Sequence, residues 1–354
     1  MNIEPILRQA LECGASDIFA VAGLPMTFKI KGEQKRLEED GRMTPEQTRE
    51  FALGIYQLAG REPFCINGSQ TDDDFSVSVP GIGRFRVNLF RQRGSIAAVV
   101  RVIRFGLPTK EEMNIPPEVM EVAGLKNGIV LVTGLAGSGK STTLACIINE
   151  INRTRSGHIL TLEDPVEFIH RHDKCIVSQR EIYCDCPSYV DALRSALRES
   201  PDVILLGEMR DKETMEVAMT AAETGQLLFS TLHTTDAANT IDRIIDSFPP
   251  NQQSQIRLQL SMVLQAVISQ QLVPDVNGEP IPVFEIMHVN LAIRNMIRES
   301  KTHQLESAIA SGAAQGMRTM DTALLKLYRE GRITKETALT YCTNYDVMSK
   351  RLGI

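Results

Sequence analysis

One segment of the chain places glycines, a lysine and hydroxyl side chains at the spacing that proteins use to bind phosphates. Residues 134–141 read GLAGSGKS and match the pattern GxxxxGK followed by Ser or Thr. In this motif backbone N–H groups approach the phosphate oxygens, the lysine reaches the β- and γ-phosphates, and the last hydroxyl binds Mg²⁺. A strand-like apolar run, 128–133, precedes it and a helical pattern follows, as the mechanism requires. The segment predicts ATP or ADP and Mg²⁺ as cofactors, bound by Gly134, Gly137, Ser138, Gly139, Lys140, Ser141 and Thr142.

Polar residues follow three other apolar runs, at the point where each run ends. Glu163 and Asp164 close the run from 158, Glu208 follows 202–207, and His233 follows 227–232. Because the carboxyl ends of parallel strands share one edge of a sheet, these side chains and the phosphate motif are expected to meet there. Single acids at strand ends often cap helices. Finding three polar strand ends together at the edge that carries the phosphate motif favours a catalytic site.

The chemistry of these side chains suggests distinct roles. Hydrolysis needs a carboxylate to activate water, and we predict Glu208 as this base. The catalytic set also contains Glu163, as a second acid, and His233, as a sensor of the γ-phosphate. An acidic residue usually stands at the end of the strand, one position before a base such as Glu208. In this chain that position is Gly207. We therefore predict that Ser141 binds Mg²⁺ directly, and that Glu163 and Asp164 hold it through water.

An arginine-rich run near the N-terminus contains no acidic residue. Between 84 and 104 the arginines are Arg84, Arg86, Arg91, Arg93, Arg101 and Arg104. The run has three interpretations: a nucleic-acid surface, a salt-bridged face, and fingers that reach a nucleotide on a neighbouring subunit. The net charge of −6 and the 5% aromatic content argue against nucleic acid. We favour Arg84, Arg86 and Arg101 as nucleotide-contacting fingers, which implies a ring of subunits.

Length and composition fit a two-domain globular protein. The chain has 354 residues, of which 43% are apolar, and no apolar run approaches the roughly 20 residues that span a bilayer. The N-terminus lacks the pattern of a signal peptide. The seven scattered cysteines indicate reduced thiols in a cytosol, and Cys184 and Cys186 are interpreted as loop thiols rather than metal ligands. A cytoplasmic location is predicted.

Element patterns change along the chain. A small α/β domain is predicted for residues 1–105, a linker for 106–116, and alternating strands and helices for 117–290. Asn277-Gly278 predicts a hairpin, and a helix-rich region covers 291–354. Apolar strands that alternate with helices predict an α/β fold with a parallel sheet covered on both faces.

These motifs together resemble the secretion ATPase superfamily of RecA-like hexamers, and within it the PilT-type pilus retraction ATPases. The resemblance covers nearly the whole chain, including TLEDPVEF at 161–168, GEMRD at 207–211 and TLHTT at 231–235. Residues 292–299, AIRNMIRE, are similar in seven of eight positions to the AIRNLIRE element of retraction motors. That element contributes Arg294, Asn295, Arg298 and Glu299.

The resemblance implies a PAS-like N-terminal α/β domain, a RecA-like parallel-sheet P-loop ATPase domain and a helical C-terminal region. It also implies a homohexamer docked at the inner face of the cytoplasmic membrane. Its partners would be the inner-membrane platform protein and a second retraction ATPase, without direct nucleic-acid binding. ATP hydrolysis would drive pilin disassembly and twitching motility. Alternatives are an accessory or assembly-type ATPase of the same superfamily, a RecA-like DNA translocase, and a non-hydrolysing structural ring.

Overall fold

The computed structural model describes residues 2–30, 32–37, 41–68, 70–103 and 106–353. The chain divides into two compact units. The first takes the described residues up to Gly106 together with Glu167–Ile169, and the second takes Leu107–Val166 and the described residues from His170 onward. Arg104, the last arginine of the N-terminal run, lies outside the described residues.

The first unit is built on a six-stranded antiparallel sheet in the order β3-β2-β1-β6-β5-β4. Its strands are β1 Ala15–Ala20, β2 Thr27–Ile30, β3 Glu33–Arg36, β4 Asp72–Val79, β5 Gly83–Gln92 and β6 Ser95–Ile103. Its helices are α1 Glu4–Glu12, α2 Pro45–Ala59 and α3 Phe64–Asn67. Buried and half-buried residues alternate along β5, so one face of the sheet packs on the core and the other carries polar side chains.

Helix α2 shows how the sequence specifies one of these elements. Thr44 accepts a hydrogen bond from the backbone N–H of Gln47, and the Gln47 side chain accepts one from the Thr44 N–H. This capping box, with Pro45 at the first helical position, fixes the start of the helix. Phe51 and Ile55 then point into the core of the first unit, four residues apart on one face.

The second unit is built on a seven-stranded sheet in the order β13-β12-β7-β11-β10-β8-β9. Its strands are β7 Gly128–Thr133, β8 Gly157–Glu163, β9 Cys175–Glu181, β10 Val203–Leu206, β11 Leu227–Leu232, β12 Leu264–Pro274 and β13 Pro280–His288. Neighbouring strands run parallel except β13, which is antiparallel to β12. Every residue of β7, β10 and β11 is buried, as expected for a sheet covered on both faces.

Helices cover this sheet and form the C-terminal region. They are α4 Pro117–Met120, α5 Lys140–Thr154, α6 Tyr189–Ala196, α7 Lys212–Glu223, α8 Ala237–Asp246, α9 Pro250–Val263, α10 Leu291–Arg298, α11 Leu305–Ser311, α12 Met320–Arg329, α13 Lys335–Tyr341 and α14 Tyr345–Arg351. Short 3-10 helices lie at Glu121–Gly124, Thr302–Gln304 and Ala313–Gln315. Within the described ranges, no helix combines the length and apolar character needed to cross a membrane.

The predicted α/β fold class is confirmed, and the sheet is larger than the sequence indicated. The four predicted strands form the centre of the second sheet, and the Asn277-Gly278 turn joins β12 to β13 as expected. Strand β9 was missed, because its sequence CIVSQRE is half polar. The start of β12 was also missed, because it continues directly from α9 without a turn residue between them.

Candidate active site

The phosphate motif forms the loop between β7 and α5. Gly134 has a φ of 147°, and a Cβ placed there would lie 2.2 Å from the carbonyl oxygen of Gln270. Gly139 has a φ of 88°, and its Cβ would lie 2.8 Å from Gln270 Nε2. Both positions therefore need glycine, because the loop lies directly against strand β12.

Strand β12 supports the loop through two polar side chains that the sequence analysis missed. Thr133 Oγ1 donates to Ser269 Oγ at 3.0 Å, and Thr143 Oγ1 donates to Gln270 Oε1 at 2.7 Å. Ser269 and Gln270 are both buried. The available signal was their position: two polar residues interrupt an apolar strand, and buried polar groups need partners.

Lys140 lies inside the loop. Its side chain is buried, and Nζ donates to the carbonyl oxygens of Gly134 at 2.8 Å and Leu135 at 2.9 Å. The ammonium group thus stands beside the first turn of α5, whose N-terminal N–H groups attract anions. Ser141 and Thr142 occupy that same turn. The arrangement is suited to the phosphates of a nucleotide.

Glu208 and His233 meet after the ends of β10 and β11. Glu208 Oε2 lies 3.6 Å from His233 Nε2, and Glu208 Oε1 accepts a 2.6 Å hydrogen bond from Arg210 Nε. The Glu208 side chain is 14% exposed, whereas that of His233 is 53% exposed. The hydrogen bond from Arg210 to Glu208 raises the pKa of the arginine. The residues that follow β10 and β11 therefore lie close together, as the sequence predicts.

Glu163 closes β8, where Leu162 pairs with Leu206 of β10. Its Oε1 accepts from Thr161 Oγ1 at 2.6 Å and from Gln179 Nε2 at 3.4 Å. Strand β9 holds the segment that follows Asp164, because Glu181 Oε2 accepts a hydrogen bond of 3.1 Å from the backbone N–H of Val166. Carboxylate and hydroxyl oxygens are the ligands that Mg²⁺ prefers, so this edge of the sheet is suited to Mg²⁺ beside the phosphates.

Tyr189, the first residue of α6, also lies at this edge and was missed. Its hydroxyl would be 2.8 Å from a Cβ placed on Gly207. Burial, followed by the negative charges of Asp164, Glu208 and Glu163, raises the pKa of Tyr189 well above its ordinary value. No local pattern marks this tyrosine, since its place depends on the packing of α6 beside β8.

The arginines proposed as fingers have partners within the first unit. Arg86 forms a two-bond ion pair with Asp74, at 3.1 and 2.7 Å. Arg101 Nε donates to Asp17 Oδ1 at 2.9 Å, and an Arg84 guanidinium nitrogen donates to Ser78 Oγ at 3.2 Å. The segment 84–104 alone does not indicate these contacts, because the partner residues lie outside it, on β1 and β4. They correspond to the salt-bridged alternative, and contact with a nucleotide stays a prediction.

Helix α10 carries the element 292–299, whose arginines lie in different surroundings. Arg294 is half-buried, and its guanidinium donates to the carbonyl oxygens of Ser261 and Met262, both at 2.7 Å. These carbonyls end helix α9, so Arg294 acts as a C-terminal cap. Asn295, Arg298 and Glu299 are exposed. These three side chains therefore lie at the surface, whereas Arg294 packs against the end of α9.

The two cysteines of the β9–α6 loop differ in exposure, with Cys184 exposed and Cys186 buried. Burial raises the pKa of the Cys186 thiol and so disfavours the thiolate that metals bind. Throughout the described residues, no cluster of three or more His, Cys, Asp and Glu side chains is arranged to hold a metal ion.

Fold and site together define a P-loop ATPase with an added N-terminal α/β unit. The family model described as "Type II/IV secretion system protein" matches residues 109–314, and the chain belongs to this family. The chain is 44% identical to the type IV pilus retraction ATPase PilT of Pseudomonas aeruginosa, over 96% of this chain and 97% of that protein. It is 43% identical to a twitching motility protein of Neisseria gonorrhoeae, over 98% and 92% of the two chains.

A solved structure agrees with these relatives. The crystal structure of the pilus retraction motor PilT with bound ADP superposes with a TM-score of 0.90, at 44% identity and over 99% of both chains. The resemblance to PilT-type ATPases is therefore confirmed, and the chain is a nucleotide-binding ATP hydrolase of this class.

Proposed function

We propose that this chain is a hexameric motor that couples ATP hydrolysis to the retraction of type IV pili. The observation that carries the proposal is that the Lys140 loop and the close pair of Glu208 and His233 follow neighbouring parallel strands and so share one edge of the sheet. The similarity to a pilus retraction ATPase and to a twitching motility protein supports the choice of pilus retraction as the work performed.

Each polar group at the sheet edge has a role in this proposal. Lys140 binds the β- and γ-phosphates, and Glu208 orients and deprotonates the attacking water. His233, beside Glu208, donates a hydrogen bond to the γ-phosphate that is lost after hydrolysis. Ser141 would hold Mg²⁺ directly, and Glu163 and Asp164 would hold it through water. When bound, Mg²⁺ neutralises charge on the transferring phosphoryl group.

The arginines of the first unit have a role between subunits. In a ring, Arg84, Arg86 or Arg101 would reach a nucleotide on the neighbouring subunit, and Arg86 and Arg101 would first leave Asp74 and Asp17. Arg86 and Arg101 are partners across β5 and β6, so the two would approach a phosphate together. The guanidinium group suits phosphate because it offers several donors in one plane.

In the proposed organisation the PAS-like domain covers 1–105, the linker 106–116, the ATPase core 117–290 and the helical region 291–354. The ring would dock at the inner face of the cytoplasmic membrane on the platform protein of the pilus machine. A second retraction ATPase is a further partner. The exposed side chains Asn295, Arg298 and Glu299 of α10 are available for such contacts.

Replacement of Glu208 tests the hydrolytic site. We expect Glu208→Ala to reduce the turnover of ATP by about 10²–10⁴-fold, the usual contribution of a general base. ADP binding should be retained, because Lys140 and the glycine loop are intact. Turnover and binding are measured on the full chain, with and without DNA, beside Glu199→Ala, a control whose carboxylate pairs with Arg180. Wild-type turnover in Glu208→Ala would overturn the assignment of the base.

The retraction role is tested in piliated cells that carry the chain as their motor. We expect Glu208→Ala to leave pili on the surface and to abolish twitching, because extension continues without retraction. Hydrolysis by wild-type protein that occurs only with DNA, in a particle smaller than a ring, would instead support a DNA translocase. Normal twitching of the variant would show that retraction depends on another motor.

A further inference from the structure

The backbone on either side of Glu208 is tied to the neighbouring strand β11. Thr231 Oγ1 donates to the carbonyl oxygen of Gly207 at 2.6 Å, and the N–H of Met209 donates to the carbonyl oxygen of Thr231 at 3.3 Å. The Met209 side chain is buried in the core of the second unit. Glu208 therefore extends from a segment that is held before and after it.

Arg210 follows at the start of the next element. Asp211 caps α7, because its side chain accepts from the backbone N–H and from the hydroxyl of Thr214, both at 2.9 Å. Arg210 thus lies between the buried Met209 and a helix cap, and its backbone is held on both sides. Its side chain is 73% exposed and reaches back to Glu208, two residues earlier in the chain.

The two oxygen atoms of the Glu208 carboxylate have different neighbours. Oε1 lies 2.6 Å from Arg210 Nε, which is the distance of a charge-assisted hydrogen bond. Oε2 lies 3.6 Å from His233 Nε2, which is too long for a hydrogen bond. Because the Glu208 side chain is only 14% exposed, water competes less for this carboxylate than for one on the open surface. Arg210 therefore fixes one oxygen and leaves the other on the side of His233.

We propose that Arg210 is a positioning residue of this ATPase, whose guanidinium group holds Oε1 of Glu208 so that Oε2 is directed at the attacking water on the side of His233. A general base must lie within hydrogen-bond reach of the proton that it takes, and a small misplacement of a catalytic group lowers the rate. Without Arg210 the carboxylate can rotate about its last side-chain bond. The inference rests on the role proposed above for Glu208.

The first experiment removes the guanidinium group from the full-length protein. We expect Arg210→Ala to lower kcat about 10–100-fold, the range that corresponds to one hydrogen bond to a charged group. The KM for ATP, the Kd for ADP and the melting temperature should keep their wild-type values, because the phosphate loop and the backbone contacts are unchanged. Arg194→Ala, which removes an exposed ion pair of 2.8 Å with Glu213, is the matched control and should retain wild-type kcat.

Two results of this experiment would overturn the proposal. Wild-type kcat in Arg210→Ala would show that the guanidinium group plays no part in turnover. A loss of ADP affinity or of melting temperature together with kcat would show that Arg210 contacts the nucleotide or supports the fold, and does not act by positioning the base.

The second experiment asks whether Arg210 acts through Glu208. Single-turnover rates of ATP hydrolysis are measured for Arg210→Ala, Glu208→Ala and the double variant. Because the group that Arg210 positions is absent from Glu208→Ala, the double variant should hydrolyse ATP at the rate of Glu208→Ala alone. Losses that multiply would show that Arg210 acts independently of Glu208, which contradicts the proposal.

The same variants separate this inference from the proposed function. Full activity of Glu208→Ala would refute the assigned base and, with it, the role of Arg210. An inactive Glu208→Ala beside a fully active Arg210→Ala would refute the role of Arg210 alone.

Discussion

Lys140 and Arg294 are both cations within recognisable motifs, and in this structure both donate to main-chain carbonyl oxygens. Lys140 contacts Gly134 and Leu135, in a loop whose glycines adopt left-handed conformations. Arg294 contacts Ser261 and Met262, which end the fourteen-residue helix α9. The first set of carbonyls belongs to a loop built to hold a ligand, and the second belongs to a helix terminus that needs a permanent partner. The same type of contact therefore has two meanings. At Lys140 a bound ligand can take the place of the loop carbonyls, whereas at Arg294 the contact permanently supports the end of α9.

Replacement of Lys140 should give the largest effect. We expect Lys140→Ala to lose ADP binding and to reduce ATP turnover by at least about 10²–10³-fold, because a preorganised donor to the phosphates is removed. The melting temperature without nucleotide should change little, since the loop carbonyls can turn to water. Nucleotide titration and calorimetry check these expectations, with the exposed Lys126→Ala as a control. A large loss of stability without nucleotide would make Lys140 a structural cap like Arg294.

Separate replacement of the two arginines of α10 should give the next effect. Arg294→Ala leaves two helix-end carbonyls without their charged donor, so we expect a loss of about 2 kcal/mol of unfolding free energy. Arg298 is exposed four residues later, and Arg298→Ala should melt with the wild type and hydrolyse ATP normally while impairing retraction. Thermal unfolding, ATPase and twitching assays distinguish the two. Equal melting temperatures for the two variants would contradict the cap.

Glu285 is the anionic counterpart of Arg294, and the effect of replacing it depends on pH. It is buried on β13 and accepts from the N–H groups of Ala237 and Met320, at the starts of α8 and α12. Burial raises the pKa of its carboxyl to about 7. Since the unfolded chain releases this proton near pH 4.5, the folded state binds more protons between these values, and stability falls as pH rises through this window.

The measurement is the melting temperature of wild type and Glu285→Gln from pH 5 to 8. The rise of the pKa from 4.5 to about 7 corresponds to at most about 3.5 kcal/mol, because each pKa unit is about 1.4 kcal/mol. We expect the wild type to lose stability relative to the variant over this range. A difference between the two proteins that does not vary with pH would show that Glu285 does not titrate there.

The comparison also shows which features a sequence can predict. The phosphate loop, Glu163, Glu208 and His233 were predictable because a local motif and one rule of parallel sheets bring them together. That rule needs only the order of strands and helices along the chain. The outcome is the 3.6 Å approach of Glu208 to His233 across two strand ends.

The supporting residues were not predictable, because their partners are distant in sequence. Gln270 contacts Thr143 over a separation of 127 residues, and Arg294 contacts Ser261 over 33. Neither contact produces a periodic pattern, and AIRNMIRE looks the same whether its first arginine faces solvent or a helix end. The ion pairs of Arg86 and Arg101 were hidden for the same reason. Such contacts depend on which elements become neighbours, and local propensity does not encode this.

Two neighbouring residues of strand β12 contact different parts of the second unit. Gln270 accepts from Thr143 beside the phosphates, and Gln271 donates to the carbonyl oxygen of Tyr341 at the end of α13. A paired strand hardly stretches, because its rise per residue is confined to about 3.2–3.4 Å. The phosphate loop and the end of α13 are therefore both held by adjacent residues of one strand, separated by a single peptide unit.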